Sequence, residues 1–284
     1  MSPSRIADSP HSSTCRPGGS DFAPRNRVLQ AISTTFDAAI LTVLGAHAHG
    51  GTLVIADDDT IAGPALQNLL VESRIDHLDL TPTVLATLDP DALRPVTVVA
   101  GGETLHPALL RRWSRHRIFN GYGPTEFTVM VSCAGPLTDT TAKPAVGLPP
   151  VAGATAYVLD ARLHPVSPGT VGGAVHHRRG LARGYHRRTG LTATRFVADP
   201  FGKPGSRLYR TGDLVRVTAT GELDHLGRDD DQVQIRGIRT EPAEVDAVLL
   251  TADGVDAAVT VAIPPGADGT SASLPMSRVV PTCR

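Results

Sequence analysis

The chain has 284 residues, a formal net charge of −1 and 41% hydrophobic residues, which suits one large domain or two of ordinary size. It has no apolar run of the ~18 residues that a membrane helix needs, no secretory signal and no basic excess for nucleic acid. Three widely spaced cysteines argue against disulfides and structural zinc, so we expect a soluble cytoplasmic protein that binds neither nucleic acid nor membrane.

The first half of the chain has an α/β pattern. Residues 1–26 are rich in Ser, Pro and Gly, and we expect a disordered lead-in. The clearest helix covers 104–116, where apolar residues recur at four-residue spacing. β-branched runs predict strands at 52–56, 77–80, 96–100 and 117–120. Strands that alternate with helices predict a parallel sheet over about 27–145.

The second half is richer in strands. Residues 146–228 predict an antiparallel barrel-like region or sheet, with a hairpin turn at 218–221. Residues 229–284 predict a small α+β unit with a helix at 241–251. The expected fold class is therefore α/β, with a parallel sheet and flanking helices, a β-barrel-like region and a small, shortened C-terminal domain. The predicted strands of these two regions are 154–159, 172–177, 207–209, 214–218, 222–226, 232–236 and 255–263.

The sharpest motif is NGYGPTE at residues 120–126, directly after a predicted parallel strand. Loops at the carboxyl ends of such strands bind ligands in open α/β sheets. Tyr122 offers a flat ring, Thr125 a hydroxyl for phosphate, and Glu126 a hard oxygen ligand for Mg²⁺. The alternative interpretation is a Gly-Pro turn followed by a surface glutamate.

Two further segments have polar side chains suited to a nucleotide. YRTGDL at 209–214 places Asp213 after a Thr-Gly turn, where a carboxylate accepts ribose hydroxyls, although Gly-Asp turns are also common at strand starts. GRDDDQVQIRG at 227–237 has one arginine beside three acids. That segment is either a solvated linker or a hinge with a phosphate- or ribose-binding Arg228.

In this order and spacing, the three segments resemble the adenylation domains of nonribosomal peptide synthetases, which are adenylate-forming enzymes. The stretches FDAA at 36–39, GLARGY at 180–185 and RGIRTE at 236–241 agree with the same family, so the resemblance covers about 27–263. It implies that an amino acid is activated with ATP and Mg²⁺ as an aminoacyl adenylate. The acyl group then passes to a phosphopantetheine thiol on a partner carrier domain.

The resemblance also assigns residues to the nucleotide. Tyr122 is expected to stack on adenine, Asp213 to bind the ribose, and Glu126 to hold Mg²⁺. Thr125, Glu126 and Arg228 are the expected catalytic residues, and Asp230 is the expected hinge of the C-terminal domain. The full set assigned to the nucleotide is Gly121, Tyr122, Gly123, Thr125, Asp213, His225 and Arg228.

The amino-acid pocket follows from the same resemblance. Asp37 is expected to pair with the substrate's ammonium group, although an aspartate there also suits a helix N-cap. Asp79 would favour a polar or cationic substrate side chain, or it caps the segment before Thr81. The full set expected to line the pocket is Asp37, Ala38, Leu41, Asp79, Val98, Ala100, Gly121, Val129 and Met130.

The sequence departs from the family in three ways. The phosphate-gripping loop that ends in Pro-Lys is absent, the glycine-rich turn near residues 173–180 contains His176 and His177, and the segment with the catalytic lysine is missing. We therefore expect the later part of an adenylation core with a shortened C-terminal domain, and no catalysis by this chain alone. The alternatives are an inactive remnant that keeps at most nucleotide binding, and an acyl-CoA synthetase relative, which Asp37 disfavours.

Overall fold

The computed structural model describes residues 22–138, 146, 151, 153–219, 221–235, 238–252, 254–255, 257–261 and 277–279. The chain divides into two units, Met1–Gly227 and Arg228–Arg284, and each is described by itself. Within the described ranges, no helix is both long enough and apolar enough to cross a bilayer.

A six-stranded sheet organises the first half of the first unit. Its strands are β1 (Arg27–Gln30), β2 (Thr52–Ile55), β3 (His77–Leu80), β4 (Thr97–Gly101), β5 (Arg117–Tyr122) and β6 (Ser132–Leu137). The order across the sheet is β2-β1-β3-β4-β5-β6. β1 to β5 are parallel, as predicted, whereas β6 runs antiparallel to β5 at the edge. Its helices are α1 (Ala38–Ala48), α2 (Gly63–Glu72), α3 (Pro82–Ala86) and α4 (Pro107–Arg112).

The main hydrophobic core lies on one face of this sheet. Leu78 from β3 and Val98 from β4 are fully buried there, together with Leu110 from α4 and the adjacent Trp113. The predicted helix at 104–116 is shorter in the structure, because Pro107 starts the first turn and Trp113 ends the last one. Proline suits the first helical turn because it has no N–H to leave unpaired.

An antiparallel sheet completes the first unit, in the order β11-β10-β8-β7 with β9 paired to β10. The sequence predicts two strands at 207–209 and 214–218, but the structure has one long strand, whose register with β8 shifts between Arg210 and Leu214. Such an irregularity redirects side chains without ending the strand. The elements are β7 (Ala154–Leu159), β8 (Val171–Arg178), α5 (Thr189–Arg195), β9 (Phe196–Ala198), β10 (Arg207–Val217) and β11 (Leu223–Arg228).

The second unit is small. β12 (Val233–Ile235) pairs antiparallel with β13 (Ile238–Thr240), a strand that the sequence pattern did not predict. The helix α6 (Pro242–Leu249) contacts β14 (Ala258–Thr260), which pairs antiparallel with β15 (Ser277–Val279). The predicted 241–251 helix is therefore present in a slightly shorter form.

We expect Leu110→Ala to lower the free energy of unfolding by about 2–5 kcal/mol, because it opens a cavity in a fully buried cluster. Trp113, the single tryptophan of the chain, lies in the same cluster, so its fluorescence reports the urea unfolding curve. Leu44→Ala is the matched control, because Leu44 is 61% exposed and should change stability little. Equal midpoints for the two variants would contradict this description of the core.

Candidate functional site

The segment after β5 folds back tightly on itself. Thr125–Phe127 forms a single 3-10 turn, and Thr128 and Val129 follow with φ angles of 67° and 66° in the left-handed region. A Cβ atom at Gly123 would lie only 2.5 Å from the backbone oxygen of Val129 and 2.6 Å from the Cα of Met130. Only glycine fits there, so the backbone itself requires the second glycine of the motif.

Three of the residues expected at the nucleotide come together from two sheets. The Tyr122 hydroxyl at the end of β5 donates a hydrogen bond to Oδ2 of Asp213, which lies at the irregularity in β10. Nε2 of His225 on β11 lies 3.6 Å from Oδ1 of the same carboxylate. The Asp213 amide donates to Oγ1 of Thr211 at 2.9 Å, which holds the turn in place. The ring, the carboxylate and the imidazole therefore share one location.

Glu126 is buried, with only 7% of its surface exposed, whereas the preceding Thr125 is exposed. Its Oε1 accepts a 2.6 Å hydrogen bond from the hydroxyl of Tyr185, and its backbone oxygen accepts one from the amide of Ala182 at 2.9 Å. Tyr185 is the last residue of the GLARGY segment, and its contact with Glu126 was not predicted from the sequence. The Tyr185 hydroxyl thus holds the Glu126 carboxylate in one orientation.

The chemistry around Glu126 fits a magnesium ion held mainly by a bound nucleotide. Within the described ranges, no three His, Cys, Asp or Glu side chains cluster in a way that could hold a metal ion. Mg²⁺ is commonly bound through one or two carboxylates together with substrate phosphates and water. A single buried glutamate matches that pattern and does not match an all-protein metal cage.

Asp37 connects the start of α1 to the same loop. It occupies the N-cap position, yet its side chain makes no capping hydrogen bond. Instead, Oδ2 accepts a 3.2 Å hydrogen bond from the amide of Val129, which lies 92 residues further along the chain. Asp37 therefore holds the N-cap position without the capping hydrogen bond, and its carboxylate is bonded to the loop that contains Tyr122 and Glu126.

The strand register places the expected pocket residues of β3 and β4 on two different faces of the sheet. In the parallel sheet, Asp79 pairs with Val99, which places both side chains on one face. Val98 and Ala100 are on the opposite face, fully buried in the main core. Side chains alternate along a strand, so Val99 and Gly101 are on the same face as Asp79. The roles of Asp79, Val98 and Ala100 in an amino-acid pocket stay predictions.

Gly121 packs closely against residues on the Asp79 face of β4 and on the loop after β5. Gly101 pairs with Gly121 across β4 and β5. A Cβ at Gly121 would lie 3.1 Å from Cγ1 of Val99 and 3.3 Å from Cε of Met130, so these residues form one wall. Alternation of polar and apolar residues normally indicates which residues of a strand share a face. Residues 96–101 are mostly small and apolar, so the sequence does not show this alternation.

Ala38 and Leu41, which are also expected at the amino-acid pocket, lie at the start of α1 and are partly buried, and their role there stays a prediction. Arg228 and Asp230, in contrast, belong to the second unit. The Arg228 guanidinium binds both carboxylate oxygens of Asp230, from Nε at 2.6 Å and from the second nitrogen at 2.8 Å. This bidentate geometry is the strong form of an arginine–carboxylate pair. The roles of Arg228 at the phosphates and of Asp230 as a hinge stay predictions.

A buried histidine packs against the rings of Tyr122 and Phe127. His176 on β8 is fully buried, and its ring meets the edges of Tyr122 and Phe127 at centroid distances of 6.2 and 5.5 Å. Neither ring nitrogen has a hydrogen-bond partner among the described residues. Burial lowers the pKa of His176 from 6.5 to about 4, and the Asp213 carboxylate acts in the opposite direction. Nδ1 of the neighbouring His177 instead lies 3.2 Å from Oδ2 of Asp199.

We expect Gly123→Ala to lower the free energy of unfolding by about 1–3 kcal/mol, because the new methyl group overlaps backbone atoms that cannot rotate away. Gly190→Ala is the matched control, since it lies in helix α5 with no atom near its Cβ position. That change should stabilise the protein slightly. Thermal unfolding of both variants measures the difference, and a neutral Gly123→Ala would contradict the packing of the loop.

We also expect stability to fall in acid because of His176. As the pH drops below 6.5 toward 4, the unfolded chain takes up a proton that the folded protein does not bind. The stabilising contribution is present above pH 6.5 and is lost toward pH 4, by roughly 3 kcal/mol in total. His176→Leu should flatten this dependence in urea unfolding curves from pH 7.5 to 4.5. The exposed His186→Leu is the control, and it should keep the slope of the wild type.

Comparison with known proteins agrees with this geometry. Residues 10–186, more than half of the chain, match the AMP-binding enzyme family. CymA of Salinispora arenicola, named as a nonribosomal peptide synthetase, is 47% identical over 245 residues, which are 84% of this chain and 3% of CymA. Novobiocin biosynthesis protein H of Streptomyces niveus is 43% identical over 226 residues, which are 79% of this chain and 37% of that protein.

Solved structures share the fold. PA1221, an NRPS protein containing adenylation and PCP domains, matches with a TM-score of 0.77 and 30% identity over 85% of this chain and 44% of its own. AB3403, a four-domain nonribosomal peptide synthetase bound to AMP and glycine, matches with a TM-score of 0.67 and 32% identity over 86% of this chain and 19% of its own.

The chain thus spans less than half the length of each of these four proteins. Its α/β fold, with a parallel sheet and an antiparallel one, is the expected class. The family match, the relatives and the shared fold together show that the chain belongs to the AMP-binding enzyme family, among the adenylation domains of nonribosomal peptide synthetases.

Proposed function

We propose that this chain supplies the nucleotide- and amino-acid-binding part of a site that activates an amino acid with ATP. The product is an aminoacyl adenylate, and pyrophosphate leaves when the substrate carboxylate attacks the α-phosphate. The observation that carries the proposal is the double attachment of one loop. Its first residue, Tyr122, bonds Asp213, and the amide of Val129 bonds Asp37. Groups suited to a nucleoside and to an amino acid therefore border the same turn.

The nucleotide half rests on Tyr122, Asp213 and His225. The phenol ring offers a face for a purine, and a carboxylate accepts both hydroxyls of a ribose through charge-assisted hydrogen bonds. Asp213 is 7% exposed, so its bonds to a ribose would form away from bulk water, where they are stronger. AB3403 is bound to AMP, and we expect an adenine nucleotide to bind here as well.

The amino-acid half rests on Asp37. A single backbone amide satisfies only part of this carboxylate, and the pocket residues around it are apolar or small. A carboxylate in such surroundings is costly unless a cation pairs with it. The ammonium group of an α-amino acid is the cation that the proposed reaction brings, and a fatty acid would not supply one.

Glu126 would hold Mg²⁺, with Thr125 at the phosphates. When bound with the nucleotide, the ion would neutralise charge on the phosphate oxygens. The Tyr185 hydroxyl keeps the Glu126 carboxylate in one orientation, and Ala182 anchors its backbone. The proposal continues with transfer of the acyl group to a phosphopantetheine thiol on a carrier domain, which PA1221 has in one chain with its adenylation domain. We infer a cytoplasmic location, because the proposed reaction consumes ATP.

We expect amino-acid-dependent ATP–pyrophosphate exchange from a protein that contains this chain, and a loss of at least a hundredfold in Asp37→Asn, because the ammonium group loses its charged partner. A panel of amino acids, with the exposed Asp58→Asn as control, measures the effect. Equal exchange in Asp37→Asn and Asp58→Asn would contradict the ammonium role. Binding of AMP without any exchange would favour the alternative in which this chain only holds a nucleotide.

A further inference from the structure

Both oxygens of the Asp79 carboxylate are already bonded within the protein. The Thr42 hydroxyl on α1 donates to Oδ2 at 2.9 Å. On the other side, Nε2 of His77 lies 3.2 Å from Oδ1, and the imidazole is the donor because a carboxylate only accepts. The side chain of Asp79 is 10% exposed, while Thr42 and His77 are fully buried. A substrate cation would have to compete with two buried donors for this carboxylate.

The apolar surroundings of this trio make its hydrogen bonds strong. The ring of Phe22 lies 4.4 Å from the ring of His77, between centroids, and packs against α1 at Gly45. Nδ1 of His77 has no hydrogen-bond partner among the described residues. Water is therefore kept away from a hydrogen-bonded chain of three side chains, where each lost bond leaves a buried polar group unsatisfied.

The trio connects the sheet to the helix that begins after Asp37. His77 and Asp79 are on β3, whereas Thr42 lies one turn into α1. The Thr42 hydroxyl is also 3.2 Å from the backbone oxygen of Ala38, the first residue of the helix. The position of the Asp37 carboxylate thus depends on how firmly the first turn of α1 is held against β3.

We propose that His77, Asp79 and Thr42 form a brace of positioning residues that orients Asp37, and that Asp79 does not recognise a substrate cation. The pocket then takes an amino acid with an uncharged, apolar side chain. The other residues on its walls are apolar or glycine: Leu41, Val99, Gly121, Val129 and Met130. This inference about the substrate rests on the proposed function, whereas the brace itself is a property of the fold.

Two variants separate a brace from a recognition group. Thr42→Val keeps the size of the side chain and leaves the Asp79 carboxylate in place, but it removes the bond to α1. Asp79→Asn removes the negative charge but keeps the two hydrogen bonds. The amide oxygen can still accept from the Thr42 hydroxyl, and the amide NH₂ can donate to His77 when Nε2 of its ring carries no proton. Thr194→Val is the matched control, because its hydroxyl makes only a local bond to Leu191 on an exposed helix.

Titration calorimetry with leucyl- and lysyl-sulfamoyladenosine and with AMP tests the ligand consequences. We expect wild type to prefer the leucyl probe over the lysyl probe by at least tenfold. Thr42→Val should weaken the leucyl probe about tenfold and leave AMP within about twofold, whereas Asp79→Asn should stay near wild type for both. A loss that is equal for AMP and the leucyl probe would indicate general destabilisation and overturn the brace.

The opposite pattern would also overturn the inference. If the wild type prefers the lysyl probe and Asp79→Asn abolishes that preference, Asp79 is a recognition group. Adding Thr42→Val to Asp37→Asn should cause no further loss of the leucyl probe, because the brace acts through Asp37.

Hydrogen exchange tests the brace without any ligand. The amides of α1 should exchange about tenfold faster in Thr42→Val than in wild type, Asp79→Asn or Thr194→Val. Unchanged exchange in Thr42→Val would overturn the brace. If wild type binds neither probe nor AMP, the proposed function and the inferred substrate class fail, and the exchange rates still decide whether the brace exists.

Discussion

A single crowded turn determines the geometry of this site. Backbone atoms of Val129, Met130 and Val131 occupy the space where a side chain at residue 123 would lie. The segment between Tyr122 and Met130 therefore closes on itself, and its two ends point to different partners. One end reaches Asp213 on the antiparallel sheet, and the other reaches Asp37 at the start of α1. The proposed nucleotide and amino-acid halves meet because this turn leaves the backbone no other path.

Four carboxylates of the first unit each accept a hydrogen bond from a distant part of the chain. Val129 bonds Asp37, Thr42 bonds Asp79, Tyr185 bonds Glu126, and Tyr122 bonds Asp213. Burying polar groups without partners is costly, so these hydrogen bonds help to hold the elements together. The extent of this pairing differs: the two oxygens of Asp79 are engaged by side chains, while one backbone amide bonds Asp37. That difference separates a positioning carboxylate from one suited to an external cation.

Motif order and strand alternation allowed much of this to be predicted. The strand at 77–80, the parallel order of the sheet, and the closeness of Tyr122, Asp213 and His225 all follow from the sequence segments. The burial of Val98 and Ala100 in the main core was not predictable, because a buried parallel strand is apolar on both faces and composition does not reveal which face a residue takes. The partners of Asp37 and Asp79 were also out of reach, since hydrogen bonds across 92 and 37 residues leave no periodic signal.

The sequence by itself determined the family, the α/β class and the list of chemically able residues, because these depend on residue identity and local order. Only the tertiary structure decided which carboxylate is engaged by other side chains and which residues of β4 are on the same face as Asp79. It also revealed that His176, which belongs to a glycine-rich turn by motif, is a fully buried ring beneath Tyr122. Burial and hydrogen-bond partners arise from contacts between segments distant in sequence, and those contacts set the charge, orientation and solvent access of each group.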